Sequence, residues 1–133
     1  MAYDKPIAVI TVAAEASSEP HEGRVAVAAV ILNRVRDGRF GHTAAAVCLK
    51  RMQFSEWDAD RADNADLERV ASMADDDPVI VDCAAAWDEA ISGNDPTAGA
   101  THFYAQSISA PPWTVGATFT VQIGRNLFFK NVK

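Results

Sequence analysis

Between Val9 and Arg34 the sequence VITVAAEASSEPHEGRVAVAAVILNR leaves little freedom in how the chain can fold. From Pro6 to Ala14 the only side chain with a polar group is Thr11. So uniform an apolar run does not suit a surface helix and predicts a core helix over Lys5 to Ser17. Glu19-Pro20 breaks it, because a residue before proline is pushed out of the helical region, and the proline suits the first turn of the next helix. That second helix runs to Arg36. Val25, Ala28, Ala29, Leu32 and Val35 recur at helical spacing, and Val27, Val30 and Ile31 widen the stripe until most of the surface is apolar. Glu19 and Glu22 stand at its positive end and Arg34 and Arg36 at its negative end; Asp37-Gly38 stops it.

Glu15 sits where the first apolar run gives out. A carboxyl in that position is partly desolvated, which raises its pKa and favours the protonated form a general acid needs. A lone glutamate more often just ends a helix in solvent, so its neighbours have to decide.

Further along, Thr43 caps a short helix over Ala44 to Lys50, and Met52 to Trp57 reads as a short extended segment carrying Gln53, Ser55 and Trp57. A polar, Asp-rich loop leads to a short helix over Leu67 to Met73. The acidic run Asp75 to Asp77 before Pro78 is a solvated helix start, and the spacing of a calcium-binding EF-hand loop is absent. The helix over Pro78 to Ser92 turns Val79, Cys83, Ala86 and Ala90 to one face, with Trp87 in the core beside them, and Gly93-Asn94-Asp95-Pro96 ends it. Then the pattern changes. ATHFYAQ is a short extended segment, PPW a rigid turn, and Thr118 to Ile123 and Asn126 to Lys130 are two strands joined by Gly124-Arg125. Helices first and a small β element last make the chain α+β and mainly α, one domain over residues 1–133.

A net charge of −6 argues against nucleic acid as a partner, since neutralising phosphates takes clustered Lys and Arg. No segment has the apolar length to span a membrane, so no membrane insertion is expected. Cys48 and Cys83 lie in apolar surroundings without a CxxC spacing and read as buried free thiols, with a disulfide the lesser alternative.

Glu15, Glu22, Gln53, Ser55, Trp57, His102, Tyr104 and Trp113 combine carboxyl, amide and hydroxyl groups with aromatic faces. Such a set suits a carbohydrate, whose CH face stacks while its hydroxyls hydrogen-bond. The competing idea is a zinc site from His21, His42 and His102, but no HExxH or other tight pair supports it. No GxSxG or local cysteine signature points to a nucleophile. Neither a metal nor a cofactor is expected.

The residues AAEASSEPHEGRVAVAAVILNRV (Ala13 to Val35), MQFSEW (Met52 to Trp57), AAAWDEAISGNDPTAGATHFYA (Ala84 to Ala105) and IGRNLFF together resemble the SleB-type cell wall hydrolases, in the same order and over nearly the whole chain. The resemblance implies a lysozyme-like fold with a glycan cleft, and cleavage of peptidoglycan between N-acetylmuramic acid and N-acetylglucosamine. It places the family's catalytic glutamate on Glu15. In the related lytic transglycosylases one glutamate protonates the glycosidic oxygen and then takes the proton from the muramic acid 6-hydroxyl, so neither a second carboxylate nor a metal is needed. Gln53, Ser55 and Tyr104 are then expected to position substrate or stabilise the oxocarbenium ion, while Glu22 orients the helix junction or the cleft. The partner expected is the peptidoglycan glycan strand, met by a monomer.

The spore-germination branch of the family carries an export signal and a wall-binding domain. Here the N-terminus passes through Asp4 and Lys5 straight to Glu15, without a basic region and cleavable apolar core. The expectation is a phage or prophage endolysin, made in the bacterial cytoplasm and acting on the wall after release. Cleavage of the muramoyl-alanine amide bond and an inactive glycan-binding module stay open as alternatives.

Overall fold

The computed structural model describes residues 4–50 and 73–133. Met52 to Trp57, and with it Gln53, Ser55 and Trp57, lies outside the described residues, as does most of the helix expected over Leu67 to Met73. Four helices occur among the described residues: α1 (Asp4–Ala16), α2 (His21–Asp37), α3 (Ala44–Leu49) and α4 (Pro78–Ile91). Three short strands follow: β1 (His102–Ala105), β2 (Thr118–Ile123) and β3 (Asn126–Lys130). They form one antiparallel sheet in the order β1-β3-β2. The chain is α+β and mainly α, with a lysozyme-like arrangement of helices around a small sheet.

Local chemistry sets the ends of these elements. Pro20 is the N-cap of α2 rather than part of its first turn, with extended backbone just before His21. Gly38 closes α2 at φ 85°, a left-handed cap that a residue with a Cβ adopts only under strain. Thr43 caps α3 by accepting from the Ala46 N–H at 3.1 Å. Asp77 caps α4 by accepting from the Val79 N–H at 2.8 Å, with Pro78 in the first helical position. The acidic run is thus a helix start, as its sequence implies.

α2 is the axis of the molecule. Its seven residues from Val25 to Ile31 are all buried, so it is covered on all sides. Val27, Ala28 and Ile31 pack with Val12 of α1, Cys48 of α3, and Cys83 and Trp87 of α4. Ala26 and Val30 instead meet Ala100, Ile123 and Phe128 of the sheet layer. Both cysteines are buried thiols, and burial pushes that of Cys83 up to about 11. Thr11, fully buried on α1, donates its hydroxyl to the Ile7 carbonyl one turn back, which makes it tolerable in the core.

The sheet has two unlike faces. Phe103 of β1 and Phe128 of β3 are register partners on the inner face, with ring centroids 5.4 Å apart. The outer face carries His102, Tyr104, Phe119 and Phe129, and the Pro112–Thr114 turn lays Trp113 against them.

Candidate active site

Glu15 occupies the last turn of α1, half-buried. With Ser18, Glu19, Ala105, Ser107, Arg125 and Asn126 it lines a cavity of about 180 Å³ between the α1–α2 junction and the β2–β3 hairpin. An α-helix leaves its last carbonyls without intrahelical partners, and here Arg24 of α2 supplies them. Its Nε donates to the Ala16 carbonyl at 3.2 Å and its Nη2 to the Ser17 carbonyl at 2.8 Å. Asp82 of α4 holds the same guanidinium through Nη1 at 2.9 Å. The turn that presents Glu15 is therefore fixed from two other helices. His21 joins the cluster, its Nδ1 2.8 Å from Asp82 Oδ1 and its Nε2 3.5 Å from Glu89. The hydrogen bond to Asp82 raises the His21 pKa against the opposing effect of burial.

Glu19 locks the junction to the sheet. Its side chain is buried, and its Oε1 accepts from the Arg125 N–H at 3.2 Å. Ser18 accepts from Arg125 Nη2 at 3.1 Å beside it. Two glycines make room for Glu19: a Cβ on Gly23 would lie 2.9 Å from Glu19 Cβ, and one on Gly124 would lie 2.7 Å from Glu19 Oε2. Gly124 also has φ 57° at the first central position of a two-residue hairpin, which is what a type II′ turn demands. The E-P-x-E-G and I-G segments, far apart in sequence, are thus two sides of one contact. Gly124→Ala is expected to lower stability by about 1–2 kcal/mol in thermal or urea denaturation. In a Glu19→Ala background the loss should be smaller, since the clash is relieved and only the turn strain remains. An equal loss in both backgrounds would show that Glu19 plays no part.

A second clamp positions β1. Asp95 accepts from the Thr97 N–H (2.8 Å), the Thr97 hydroxyl (2.6 Å), the Gly99 N–H (2.9 Å) and the Asn33 amide (3.0 Å). Burial pushes its carboxyl up, but these hydrogen bonds outweigh burial and hold it below the usual range. Asn33 also donates to the Ala100 carbonyl at 2.9 Å, and the next residue, Arg34, donates from Nε to the Thr101 carbonyl at 2.6 Å. The N-R pair ending α2 and the D-P-T-x-G-A turn therefore lock together. Arg34 is 5% exposed; burial lowers its pKa to about 10, partly offset by attraction to Glu15, so it stays charged at neutral pH. Its guanidinium lies 5.0 Å from the Phe40 ring centroid.

β1 then carries His102 and Tyr104 onto the outer face. The Tyr104 ring stacks on Phe129 at 5.7 Å, and Trp113 meets His102 at 5.0 Å and Tyr104 at 5.9 Å. Burial, with Arg34 and Arg39 nearby, lowers the His102 pKa from 6.5 to about 4, so the ring is neutral at pH 7. The unfolded chain takes up the His102 proton from about pH 6.5 downward and the folded chain only near 4. Between these values the unfolded state holds more protons, so stability falls as pH drops through that window. The expected size is about 2 kcal/mol once solvent on the half-buried ring is allowed for. Thermal midpoints of wild type and His102→Phe from pH 7 to 4 check this, and the slope above pH 4.5 should be shallower in the variant. His21 acts in the opposite sense: its stabilising contribution is present below 6.5 and lost as pH rises through its raised folded value.

A family model described as Cell Wall Hydrolase matches residues 18–129. The chain belongs to that family. The spore cortex-lytic enzyme of Bacillus subtilis (strain 168) is 29% identical over 117 residues, covering 86% of this chain and 33% of that protein. That of Oceanobacillus iheyensis is 31% identical over 122 residues, 87% of this chain and 37% of the relative. The chain thus spans about a third of the length of these curated relatives. The crystal structure of the catalytic domain of Bacillus cereus SleB superposes with a TM-score of 0.77 at 27% identity, over 98% of this chain and 91% of that domain. The catalytic domain of the germination-specific lytic transglycosylase SleB from Bacillus anthracis gives 0.75 at 28% identity, over 96% and 93%.

In this cell wall hydrolase the residues singled out from sequence fall into groups. Glu15 lines the cavity. His102, Tyr104 and Trp113 share the outer face of the sheet and are not among the residues lining the cavity, whose Ala105 follows Tyr104 on the other face of β1. Glu22 is exposed on the first turn of α2 and is not among the residues lining the cavity. Gln53, Ser55 and Trp57 lie outside the described residues. His21 stands with Asp82, and among the described residues no three His, Cys, Asp or Glu side chains are grouped to hold a metal. Sequence reasoning did not single out Ser18, Ser107, Arg125 and Asn126 of the cavity, or Arg24 behind it. It used Glu19 and Arg34 only as helix-end charges. The glycines of E-P-x-E-G and I-G-R-N were the available signal, since a glycine flanked by large residues marks a close approach.

Proposed function

We propose that the chain is a peptidoglycan glycosidase that cleaves between N-acetylmuramic acid and N-acetylglucosamine, with Glu15 as general acid and then general base. The observation that carries this reading is the placing of Glu15, half-buried at the end of a core helix, on a polar cavity against the edge of the sheet. The likeness to the Bacillus anthracis relative, a germination-specific lytic transglycosylase, supports the same reading. Glu15 as a carboxylic acid donates its proton to the glycosidic oxygen as the bond to the muramic acid C1 breaks. The resulting carboxylate takes the proton from the muramic acid 6-hydroxyl, whose oxygen closes onto C1 as the 1,6-anhydro ring. If water attacks in place of that hydroxyl, the product is a reducing end. Arg34, held charged nearby, is attracted to Glu15 and so stabilises the carboxylate left when the proton is given up. Glu19 is committed to the Arg125 N–H and serves as a structural carboxylate rather than a nucleophile. The neutral His102 ring, with Tyr104 and Trp113, offers an uncharged stacking face to sugar rings.

Mass spectrometry of fragments released from purified peptidoglycan tests the reading. Anhydro-muropeptides are the expected product; reducing-end muropeptides would keep the bond and change the acceptor. Free peptides would move cleavage to the muramoyl-alanine amide, and binding without release would leave a glycan-binding module. The phage or prophage endolysin setting, with a cytoplasmic chain reaching the wall after release, belongs to the proposal and rests on the sequence alone. It predicts that expression lyses a host only when a pore-forming protein is co-expressed.

A further inference from the structure

We infer that Asn126 is a specificity residue that recognises an uncharged acetamido group of the glycan in the cavity beside Glu15. This rests on the glycosidase reading above. Asn126 opens β3, paired with Ala105 across the sheet, and is 7% exposed. Its side chain lines the cavity and makes no hydrogen bond among the described residues. That is unusual for a buried amide, which is normally satisfied. The other buried asparagine among the described residues, Asn33, engages Asp95, the Ala100 carbonyl and Arg36. Asn126 therefore keeps one donor group and one acceptor for something that enters the cavity.

The lining limits what that is. Glu15, protonated before it acts, and Glu19 line the space with the guanidinium of Arg125, which donates to Ser18, while Arg34 lies close enough to attract Glu15. No one sign of charge dominates such a lining, which suits a neutral polar group. An acetamido group is neutral, presents one N–H and one carbonyl to match the Asn126 amide, and offers a methyl group to the Ala105 side chain. A volume of about 180 Å³ holds such a group with part of its ring, whereas one water takes up about 30 Å³.

The test compares wild type, Asn126→Leu and Asn126→Ala on matched peptidoglycan with native or enzymatically N-deacetylated sugars. Wild type is expected to lose about tenfold in kcat/KM on deacetylation, the scale of one or two neutral hydrogen bonds. Both variants should lose about the same factor on native material and show no further loss on deacetylated material. The thermal midpoint of Asn126→Leu should be unchanged or higher, because the amide it removes holds nothing in the fold. Equal losses on both materials, a wild type indifferent to N-acetylation, or a variant midpoint well below wild type would overturn the inference. Glu15→Gln protein supplies a readout free of turnover: it should bind N-acetylglucosamine oligomers about tenfold more tightly than glucosamine oligomers, and Asn126→Ala in that background should abolish the preference. Binding with this preference but no glycan cleavage by wild type would sink the glycosidase reading alone. Cleavage without the preference would sink only the role of Asn126.

Discussion

Glu15→Gln is expected to lower the rate of glycan release by about 10²–10⁴-fold while leaving the thermal midpoint close to that of wild type. The amide has the shape of the carboxyl and fills the same place at the end of α1, but it has no acidic proton to give and no basic oxygen to take one back. The turn that carries it is held by Arg24, through carbonyls that the substitution does not touch. Folding and activity should therefore separate. Glu22→Gln is the matched control: it lies three residues beyond Glu19 but is exposed and off the cavity, so its rate should stay within about twofold of wild type. Quantified muropeptide release from sacculi, alongside calorimetry, reads both quantities. A Glu15→Gln protein as active as wild type would remove Glu15 from the chemistry.

Asp95→Ala should produce the largest loss of stability, about 3 kcal/mol, with a thermal midpoint lower by roughly 10 °C. The carboxylate accepts four hydrogen bonds, and its loss strands the buried Thr97 hydroxyl and weakens the hold on Asn33. Because Asn33 and Arg34 tie the same segment to α2, β1 would lose its anchor, and Tyr104 with it. Activity should fall with the midpoint, unlike in Glu15→Gln. Asp88→Ala gives the contrast: its ion pair with Lys5 joins side chains 63% and 52% exposed, and removing it should change stability by less than about 0.5 kcal/mol. If the two aspartates cost the same, the hydrogen bonds around Asp95 do not hold the turn.

The sequence by itself determined the described helices, most of their ends and the two later strands, because those signals are local; it set Pro20 one position too far into α2. The unbroken apolar run of α1, the helical spacing of α2, Thr43, Asp77-Pro78 and the alternation from Thr118 each act within a few residues. Glu15 was legible for the same reason: it stands where a buried run ends. Only the tertiary structure decided which side chains meet. Glu19 reaches Arg125 across 106 positions, Asn33 reaches Asp95 across 62 and Arg24 reaches Asp82 across 58. No periodicity encodes such distances, since they depend on how helices cross and on which face the hairpin turns inward. The same crossing leaves Glu22 in solvent, brings the unpartnered amide of Asn126 into the cavity, and makes β1 an edge strand of the sheet. Elements follow from short-range sterics and burial, whereas a site follows from where those elements come to rest against one another.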